Sequence, residues 1–467
     1  MIPGGSVIIG HLAMMKEPDF QKSLHNFSVK HADENGRCTF YMGPTTPALS
    51  VTRADDVQAL LKISSHRTLF PVFQQHSDQF LGKHNIGVLT GKEWKNQRAT
   101  IMKALHGSAF QQNNIHAIKV ATTRLIDRLA SESQVQDIGI IMQFLTLDIF
   151  GQAALHCDFG CCESLQPSRI MQSFNFLASE MMRRVSKDIM NPASHLYSLP
   201  TPANKKHAEE RAYIRGYIAD LIRKRRELMR EQPDKSPQDL LSSLIQNANN
   251  SSDDELSEET LSDVMLSLLF AGFETTSVTL TYVFYMLSQH PDVEQHCLDE
   301  IAAVDDWEKC LYLKAVIRET MRLYPPAIST TRSLERDVEI GDGIQVKKGT
   351  YLYFPIWIIQ RDARNFANPL KFDPERWVKR VDGNWNERNH SKDDPEAGNL
   401  DAFVAFSSGA RSCAGQRFAL QEMVIVLSTM MPKLRFEPPK DYVLKPHRDG
   451  LVQSPQGGIP MKIVQRG

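Results

Sequence analysis

Apolar positions along the chain predict a mainly helical protein. Over residues 113–230 they recur at spacings of three and four, which is the pattern of helices that bury one face. A longer helical pattern starts at Ser257, a residue suited to capping a helix N-terminus, and runs to about Gln289, just before Pro291. Residues 264–270 are apolar on nearly every side of this helix. Because such a helix runs through a core, we expect it to be the buried centre of the fold.

Short β-rich stretches interrupt the helical pattern near both ends of the chain. Residues 37–42 and 48–52 flank a turn sequence with two prolines, which predicts two short strands. A short helix is expected over residues 55–61, and residues 450–460 are typical of a terminal β-hairpin. The segments without clear periodicity are expected to be irregular: a long loop over 64–90, a mobile connection over 188–206, a polar loop over 247–254 and an exposed insertion over 378–400.

Charge and cysteine content narrow the possible classes of protein. The 467 residues include 54 basic and 55 acidic side chains, and the net charge of −1 argues against a general affinity for nucleic acid. Seven cysteines at irregular spacing indicate neither a disulfide framework nor a zinc site, so a reducing environment is expected. No run of about 18 apolar residues is apparent, and the opening Met1-Ile-Pro3-Gly4-Gly5 is not typical of a signal peptide. We therefore expect no transmembrane helix in this sequence.

One cysteine stands in a sequence suited to holding a sulfur atom at a fixed position. Cys413 is surrounded by Phe406, Gly409, Arg411 and Gly415. Glycines permit the tight turns and close approaches that direct backbone N–H groups at a thiolate. A helical run follows, and the positive end of a helix dipole favours the thiolate form of a nearby cysteine. An arbitrary cysteine is more often a small buried hydrophobe, but these neighbours favour a metal ligand.

The middle of the long central helix breaks the usual rules for a buried helix. The stretch Ala271-Gly272-Phe273-Glu274-Thr275 places a glycine, a carboxylate and a hydroxyl in the most apolar element. Glycine costs about 1 kcal/mol relative to alanine inside a helix, and a buried carboxylate costs more unless it is paired or reaches water. Threonine can also bond a backbone carbonyl and bend the helix. Such conflicts are typical of functional sites, although a buried kink without chemistry is the simpler alternative.

Further motifs along the chain contain arginine. They are Trp94 and Arg98, four residues apart on one helix face; Glu319-Thr-Met-Arg322 on a predicted helix; Arg332 in Ile328-Ser-Thr-Thr-Arg332; and Arg376 in Phe372-Asp-Pro374-Glu-Arg376-Trp377. The first motif is weak alone, and an acid–base pair such as Glu319–Arg322 is common on helices and usually contributes a few tenths of a kcal/mol.

The motifs, and their order along the chain, resemble those of the cytochrome P-450 family, and the resemblance covers the whole chain from Pro3 onward. The resemblance implies an α+β fold, mainly α with small β-sheets, in a single catalytic domain over residues 1–467. It implies haem b between the long central helix and the cysteine loop, with Cys413 as the thiolate ligand of iron. The implied cofactor-binding residues are Trp94, Arg98, Arg332, Phe406, Gly409, Arg411, Cys413 and Gly415; Glu319, Arg322 and Arg376 would form a buried network that supports the loop.

The same resemblance implies roles in oxygen chemistry for three residues of the central helix. Gly272 would make room for dioxygen, Thr275 would hydrogen-bond the iron-bound peroxide, and Glu274 would relay protons from solvent. Ala271 stands where one branch of fatty-acid ω-hydroxylases has a glutamate that esterifies haem, so no covalent link is expected. The implied pocket residues are Phe70, Phe73, Phe174, Phe176, Ala271, Ile328 and Leu451, although an ordinary core face is the simpler explanation for Phe174 and Phe176.

Two positions depart from the family pattern. Trp377 stands where the family's Pro-Glu-Arg-Phe element has phenylalanine. Gln360 stands where many members have the histidine of His-Arg-Asp. The second departure leaves a propionate or framework contact at this position in doubt.

The activity that the resemblance implies is monooxygenation of a lipophilic small molecule, of the fatty acid, terpenoid or sterol type. It would use O2 and electrons from NADPH, delivered by a separate flavoprotein reductase or a ferredoxin. Lys95, Arg380 and Arg417 are candidates for a docking face or are simply solvated. One alternative is an oxygen-independent isomerase or dehydratase of lipid peroxides, against which the Glu274–Thr275 pair argues. A non-catalytic haem sensor is a third reading, without a supporting feature.

The place of action follows from the same resemblance. Many eukaryotic members carry an anchor helix ahead of a Pro/Gly hinge like the opening of this sequence. We expect the surface of the endoplasmic reticulum membrane if an anchor was removed or missed, and the cytoplasm otherwise.

Overall fold

The structure is mainly helical with small β-sheets, which confirms the expected fold class. The computed structural model describes residues 20–42, 45–67, 71–131, 135–190, 197–249, 257–304, 306–388, 396–447 and 452–466. The helices are α1 Phe20–Lys30, α2 Ala54–Ile63, α3 Pro71–Leu81, α4 Gly91–Leu105, α5 Ser108–Ala130, α6 Ile138–Phe150, α7 Cys161–Ser164, α8 Arg169–Met190, α9 Pro202–Glu231, α10 Leu240–Asn249, α11 Glu258–Gln289, α12 Pro291–Ala303, α13 Leu311–Leu323, α14 Ile356–Ile359 and α15 Gln416–Met430. The strands are β1 Arg37–Met42, β2 Thr46–Val51, β3 Gln136–Asp137, β4 Thr330–Ser333, β5 Val338–Ile340, β6 Ile344–Val346, β7 Tyr351–Phe354, β8 Val378–Val381, β9 Asn384–Glu387, β10 Leu434–Glu437, β11 Pro446–His447, β12 Ser454–Pro455 and β13 Pro460–Gln465.

The chain forms two units, each assembled from segments that are distant in sequence. The first unit contains residues 1–74, 183–193 and 318–413, and the second contains 75–182, 194–317 and 414–467.

A four-stranded sheet organises the first unit. Its order is β1-β2-β7-β4, with β2 and β7 parallel and the other pairs antiparallel. Leu24 and Phe27 of α1 pack in one apolar cluster with Phe40 and Tyr353 of this sheet. In β4, Arg332 pairs with Leu352 of β7 and is wholly buried. The sheet therefore carries one of the candidate cofactor-binding residues into the interior of the unit.

The long helix α11 is the core of the second unit. The side chain of Ser257 accepts the backbone N–H of Thr260 at 3.1 Å, so the helix starts at the predicted cap and ends at Gln289. Its buried Asp263 accepts the backbone N–H of His84 and a guanidinium N–H of Arg215, both at 3.0 Å. These donors make a carboxylate tolerable inside an apolar helix.

Asp137 joins the last strand of the second unit to helix α6. Its side chain accepts the backbone N–H of Gly139 at 2.9 Å, as the cap of α6, and that of Ile459 at 3.0 Å. The sheet order here is β10-β13-β3. β11 and β12 form a short antiparallel pair; β11 lies before residues 450–460, where a terminal hairpin was expected, and β12 lies within them.

Part of the predicted irregular structure is regular. Helix α3, Pro71–Leu81, lies inside the segment 64–90 that was expected to be a long loop. Its first residue is a proline, which needs no N–H there, and Phe80 and Leu81 are buried on one face. The expected insertion over 378–400 contains the hairpin β8–β9. The two ends of the segment 188–206 are helical. Helix α8 extends to Met190, and α9 begins at Pro202, directly after its cap Thr201.

Two helical stretches are long and apolar enough to cross a membrane by length and composition, which the sequence reading did not expect. They are residues 138–155 and 258–289, and 78 % and 72 % of their most apolar stretches are buried inside the protein. Burial to this extent is what core helices of a folded domain show.

Candidate active site

The segment 406–413 folds into a tight loop. The backbone N–H of Cys413 donates to the carbonyl oxygen of Phe406 at 2.9 Å, and that of Ser412 donates to Gly409 at 3.0 Å. Ser407 and Gly409 have φ angles of 59° and 68°, in the left-handed region. A Cβ added to Gly409 would overlap the carbonyl oxygen of Leu61 in α2. The glycine at 409 is therefore required both by its backbone angle and by the close approach of α2.

Cys413 differs from the other cysteines in its accessibility. All seven lie in the described part of the chain, and Cys413 is exposed while the other six are buried or half-buried. Burial raises the pKa of each of those six thiols, that of Cys38 to about 12 and that of Cys310 to about 11. A thiolate ligand is therefore disfavoured at the six positions, and the loop presents the most accessible of the seven thiols.

Gln58 braces the loop from α2. Its Nε2 donates to the carbonyl oxygen of Asp401 at 2.7 Å, and its Oε1 accepts the hydroxyl of Ser408 at 2.8 Å. The two bonds hold the start and the middle of the segment that leads to Cys413. Sequence reasoning missed this residue because Gln58 lies about 350 positions earlier in the chain.

Three arginines form a positive cluster in the first unit. Arg332 donates to Thr330 Oγ1 at 2.8 Å, to the Thr331 carbonyl at 2.7 Å and to Ser407 Oγ at 3.0 Å, and its buried Nε has no partner among the described residues. Burial lowers the pKa of Arg332, and the positive charges of Arg67 and Arg411 lower it further. Burial also lowers the pKa of Arg67.

An anion bound next to this cluster would stabilise it, because buried cations are stabilised by opposite charge. The bonded partners of Arg332 are all neutral, and its orphaned Nε points to a further acceptor. Together with an accessible cysteine on a hydrogen-bonded loop, these arginines fit a group that brings both a metal and carboxylates. Haem has that composition, so the residues present fit the cofactor that the sequence implies.

The motif residues Glu319, Arg322 and Arg376 lie together in a buried network. Arg322 donates to both oxygens of Glu319 at 2.8 Å, a bidentate ion pair with both side chains fully buried. Arg376 Nε donates to Glu319 Oε1 at 3.2 Å. The backbone N–H of Asp373 donates to the same oxygen at 3.0 Å.

Trp377 adds a donor to this network. Its indole N–H donates to Glu319 Oε2 at 3.0 Å, which the phenylalanine of the family pattern could not do. A Cβ added to Gly398 would overlap the Trp377 ring, so glycine is needed there to accommodate the indole. A signal was present in the sequence, because a buried tryptophan N–H normally finds an acceptor.

The doubt about a framework contact at Gln360 is resolved by its contacts. Gln360 is wholly buried and bonds both to α13 and to Val404, which precedes the cysteine loop.

In α11 the adjacent Glu274 and Thr275 differ in their hydrogen bonding. Glu274 Oε2 is buried and has no hydrogen-bond partner among the described residues, and burial raises the pKa of this carboxyl to about 7. The Thr275 hydroxyl donates to the carbonyl oxygen of Ala271 at 2.8 Å. Its oxygen then has lone pairs left only to accept a hydrogen bond. The pair thus combines a carboxyl that titrates near neutrality with a hydroxyl acceptor.

Gly272 faces helix α6. A Cβ added there would overlap the ring of Phe150, and one turn away Thr146 of α6 donates its hydroxyl to the carbonyl oxygen of Phe273 at 2.9 Å. Close packing of α11 on α6 is therefore one reason for the glycine, and the expected room for dioxygen stays a prediction. Ala271, in contrast, is exposed.

The expected cofactor-binding residues Trp94 and Arg98 lie on α4. Trp94 is 4 % exposed, and Arg98, one turn later, is half-buried. Gly415 caps α15, and a Cβ added there would meet no atom of the described residues within 4 Å. Packing against those residues therefore does not explain this glycine.

The expected pocket residues differ in their surroundings. Phe174 is wholly buried in an aromatic cluster with Phe80, Phe270 and Phe273, at ring-centroid distances of 5.8, 6.5 and 6.0 Å. This packing favours the simpler of the two explanations, an ordinary core face, over a place in the pocket. Phe176 is half-buried beneath the Lys206 ammonium, 4.6 Å from the ring centroid. Phe73 and Ile328 are half-buried, while Phe70 and Leu451 lie outside the described residues.

The candidate docking residues are all exposed. Arg380 lies over the ring of Trp385, 5.3 Å from its centroid, and its Nε donates to the Gly383 carbonyl at 3.3 Å. It therefore stabilises its own hairpin. Lys95 and Arg417 remain as exposed cations that are candidates for a docking face.

Comparison with known proteins gives one family. The model of the family described as "Cytochrome P-450" matches residues 2–460. "Cytochrome P-450 3A11" of Mus musculus is 34 % identical over 239 residues, which are 48 % of this chain and 44 % of that protein. "Pentalenene oxygenase" of Streptomyces avermitilis is 29 % identical over 465 residues, 95 % of this chain and 92 % of that protein. "Cytochrome P-450 3A9" of Rattus norvegicus is 26 % identical over 442 residues, 90 % and 83 % of the two chains. The match to the mouse protein spans less than half of that protein's length.

Proposed function

The chain belongs to the cytochrome P-450 family, and from this premise we propose that it is a haem-thiolate monooxygenase with Cys413 as the iron ligand. The observation that carries the proposal is the accessible thiol of Cys413 on a loop closed by its own backbone hydrogen bond to Phe406. The positive cluster around Arg332 supports it, because haem carboxylates would supply the anion that this arginine lacks among its bonded partners. When bound, thiolate-ligated haem supplies the activation of O2 and the insertion of oxygen into a C–H bond.

The protein's part in the reaction starts with holding the cofactor. Cys413 provides the sulfur, and Gly409, Gln58 and the left-handed turn at Ser407 fix the loop that presents it. Arg332, Arg411, Trp94 and Arg98 are the residues proposed to hold the carboxylates. The network around Glu319 stabilises the same unit, and losing one member would leave a buried charge at a cost of several kcal/mol.

Proton handling is assigned to Glu274 and Thr275. A carboxyl with a pKa of about 7 is protonated on roughly half of the molecules at neutral pH, so it can both take and give a proton. The Thr275 oxygen accepts a hydrogen bond from a protonated group, because its own hydrogen is donated to Ala271. Glu274 would thus hold the proton and Thr275 would orient the group that receives it.

The substrate is proposed to be a lipophilic small molecule of the fatty acid, terpenoid or sterol type. Support comes from the exposed Ala271 next to the proton-handling pair and from relatives that include one named for oxygenating pentalenene. Electrons would come from NADPH through a separate flavoprotein reductase or a ferredoxin, with Lys95 and Arg417 as candidate contacts. The proposed location is the endoplasmic reticulum membrane surface if an anchor accompanies the chain, which the mammalian relatives support. Without an anchor, the proposed location is the cytoplasm.

Product analysis tests the proposed activity. The holoenzyme would be incubated with a mixed lipid panel, NADPH and a flavoprotein reductase, beside a reaction with lipid hydroperoxide and no reductant. We expect products heavier by one oxygen atom that appear only with NADPH, detected by mass spectrometry. Isomerised or dehydrated products without NADPH would instead establish the lipid-peroxide isomerase or dehydratase, and bound haem without either product would favour a sensor.

A further inference from the structure

Gln360 uses every hydrogen-bonding group of its side chain. It follows α14 and is wholly buried. Its Nε2 donates to the carbonyl oxygens of Met321 and Arg322, both at 3.0 Å, and its Oε1 accepts the backbone N–H of Val404 at 3.0 Å. Its backbone carbonyl accepts Arg322 Nη1 at 2.8 Å.

The two carbonyls that Gln360 satisfies could not be satisfied within their own helix. In an α-helix the carbonyl of residue i accepts the N–H of residue i+4. For Met321 and Arg322 those residues are Pro325 and Pro326, which have no N–H. Both carbonyls belong to the end of α13, beside Glu319 and its buried ion pair. An unsatisfied buried carbonyl is costly, so the amide of Gln360 completes this helix end.

The third bond of the side chain reaches the cysteine loop. The carbonyl of Val404 accepts the N–H of Ser407 at 2.8 Å, and two residues after Val404 the carbonyl of Phe406 accepts the N–H of Cys413 at 2.9 Å. One amide therefore links the end of α13 to the point where the chain enters the loop of Cys413.

Only a primary amide of this length suits the position. It offers two N–H donors and one carbonyl acceptor, which match two carbonyls and one N–H. A neutral imidazole has one donor and one acceptor, and an imidazolium has no acceptor. The histidine that many relatives are expected to have here would leave at least one of the three groups unpaired.

We propose that Gln360 is a positioning residue that fixes the entry of the Cys413 loop to the end of α13, so that the loop holds the sulfur ready for iron. The proposal rests on the proposed ligand role of Cys413. It deepens that role by naming the bond that sets the position of the loop.

Asn365 provides a matched control. It too is a buried amide of the first unit with two donated bonds and one accepted bond, to the Thr52 and Ile359 carbonyls at 2.7 and 2.9 Å and from the Ala54 N–H at 3.1 Å. None of these bonds reaches residues 401–413. Replacing it removes the same kind of interaction without touching the loop.

The experiment compares Gln360→Met and Gln360→His with Asn365→Leu. Hydrogen exchange over residues 401–413 is measured with and without haem, and the loss of the thiolate-type absorbance of the reduced CO complex is timed. We expect Gln360→Met to raise both rates about tenfold, for the loss of buried hydrogen bonds. Gln360→His should fall between it and the wild type because it keeps one or two of the bonds. Asn365→Leu should lower the midpoint of thermal unfolding while leaving both rates at the wild-type value.

Two outcomes would overturn the proposal: unchanged rates in Gln360→Met, or rates that rise equally in Asn365→Leu at an equal loss of thermal stability. If Gln360→Met does not fold, Gln360→His decides by the same comparison. A wild-type protein without a thiolate-type spectrum would refute the ligand role of Cys413 instead. In that case the exchange rates of the haem-free proteins still decide whether Gln360 positions the loop.

Discussion

At the scale of single residues, the adjacent side chains of Glu274 and Thr275 differ in burial and in hydrogen bonding, which suits them to different roles with protons. Burial raises the pKa of Glu274 to about 7, and its Oε2 has no hydrogen-bond partner among the described residues. The Thr275 hydroxyl, in contrast, donates to the Ala271 carbonyl at 2.8 Å. The sequence indicated both residues by their conflict with an apolar helix. It could not indicate the state of either, because pKa and hydrogen bonding depend on neighbours brought close by folding.

Replacing Thr275 should separate electron use from product formation. In Thr275→Ala the acceptor oxygen is lost, so we expect the ratio of product to consumed NADPH to fall about tenfold or more, with peroxide released instead. NADPH, peroxide and product would be measured in the same reaction. Thr281→Ala is the control, because Thr281 makes the same kind of hydroxyl-to-carbonyl bond, to Ser277 at 2.7 Å, farther along α11. Unchanged coupling in Thr275→Ala would count against its role with protons.

The carboxyl of Glu274 should make stability depend on pH. Its pKa is about 7 in the folded protein against an ordinary value of 4.5, so between these values the folded protein binds more protons than the unfolded chain. The contribution of this carboxyl to the free energy of unfolding should therefore be greatest below about pH 4.5, fall by about 1.4 kcal/mol per pH unit as pH rises to 7, and level off above it.

Glu274→Gln removes this dependence because an amide does not ionise. The variant should show a flatter curve of thermal midpoint against pH and be the more stable protein above pH 7, by about 3 kcal/mol. Glu259→Gln, an exposed position of the same helix, should keep the wild-type curve. A curve for Glu274→Gln that follows the wild type would mean that the carboxyl is solvated in the folded protein.

At the scale of elements, two glycines show how close packing fixes the geometry of the site. Gly272 lets α11 approach the Phe150 ring of α6, and Gly409 lets the cysteine loop approach the Leu61 carbonyl of α2. The sequence marked both glycines as unusual. The tight turn expected at Gly409 is present, whereas the contact of Gly272 with a neighbouring helix is one that no local pattern reveals.

Gly409→Ala should destabilise the first unit more than an ordinary left-handed glycine does. The substitution costs about 1–2 kcal/mol for a φ of 68°, and the overlap with Leu61 adds to that cost. Gly349→Ala is the control, because Gly349 has a φ of 80° and no atom within 4 Å of an added Cβ. Denaturant unfolding should show the larger loss for Gly409→Ala, together with weaker haem retention. Equal losses would show that the loop can move away from α2.

At the scale of the whole molecule, the resemblance of the motifs to those of a known family was enough to predict the fold class. The ends of α11 were predicted to within one residue, since Ser257 and Pro291 are local signals.

Helix α3 was missed because its proline and aromatic residues suggest a loop when read without the face they bury. For Phe174 a pocket and an ordinary core face were both open, and its aromatic packing favours the core, a distinction that composition cannot make. The long-range bonds of Gln58, Trp377 and Gln360 also needed the folded chain, because their partners are tens to hundreds of residues away.

The ligand role of Cys413 is the claim on which the proposed function depends, and the absorption spectrum of the reduced CO complex tests it most directly. The wild type and Cys157→Ser would be compared with Cys413→Ser, since Cys157 is another partly accessible cysteine, bonded to Tyr217 at 3.2 Å. We predict the absorbance typical of thiolate-ligated haem in the first two proteins and its loss in Cys413→Ser. A thiolate-type spectrum that survives in Cys413→Ser would contradict the assignment and remove the basis of the proposed activity.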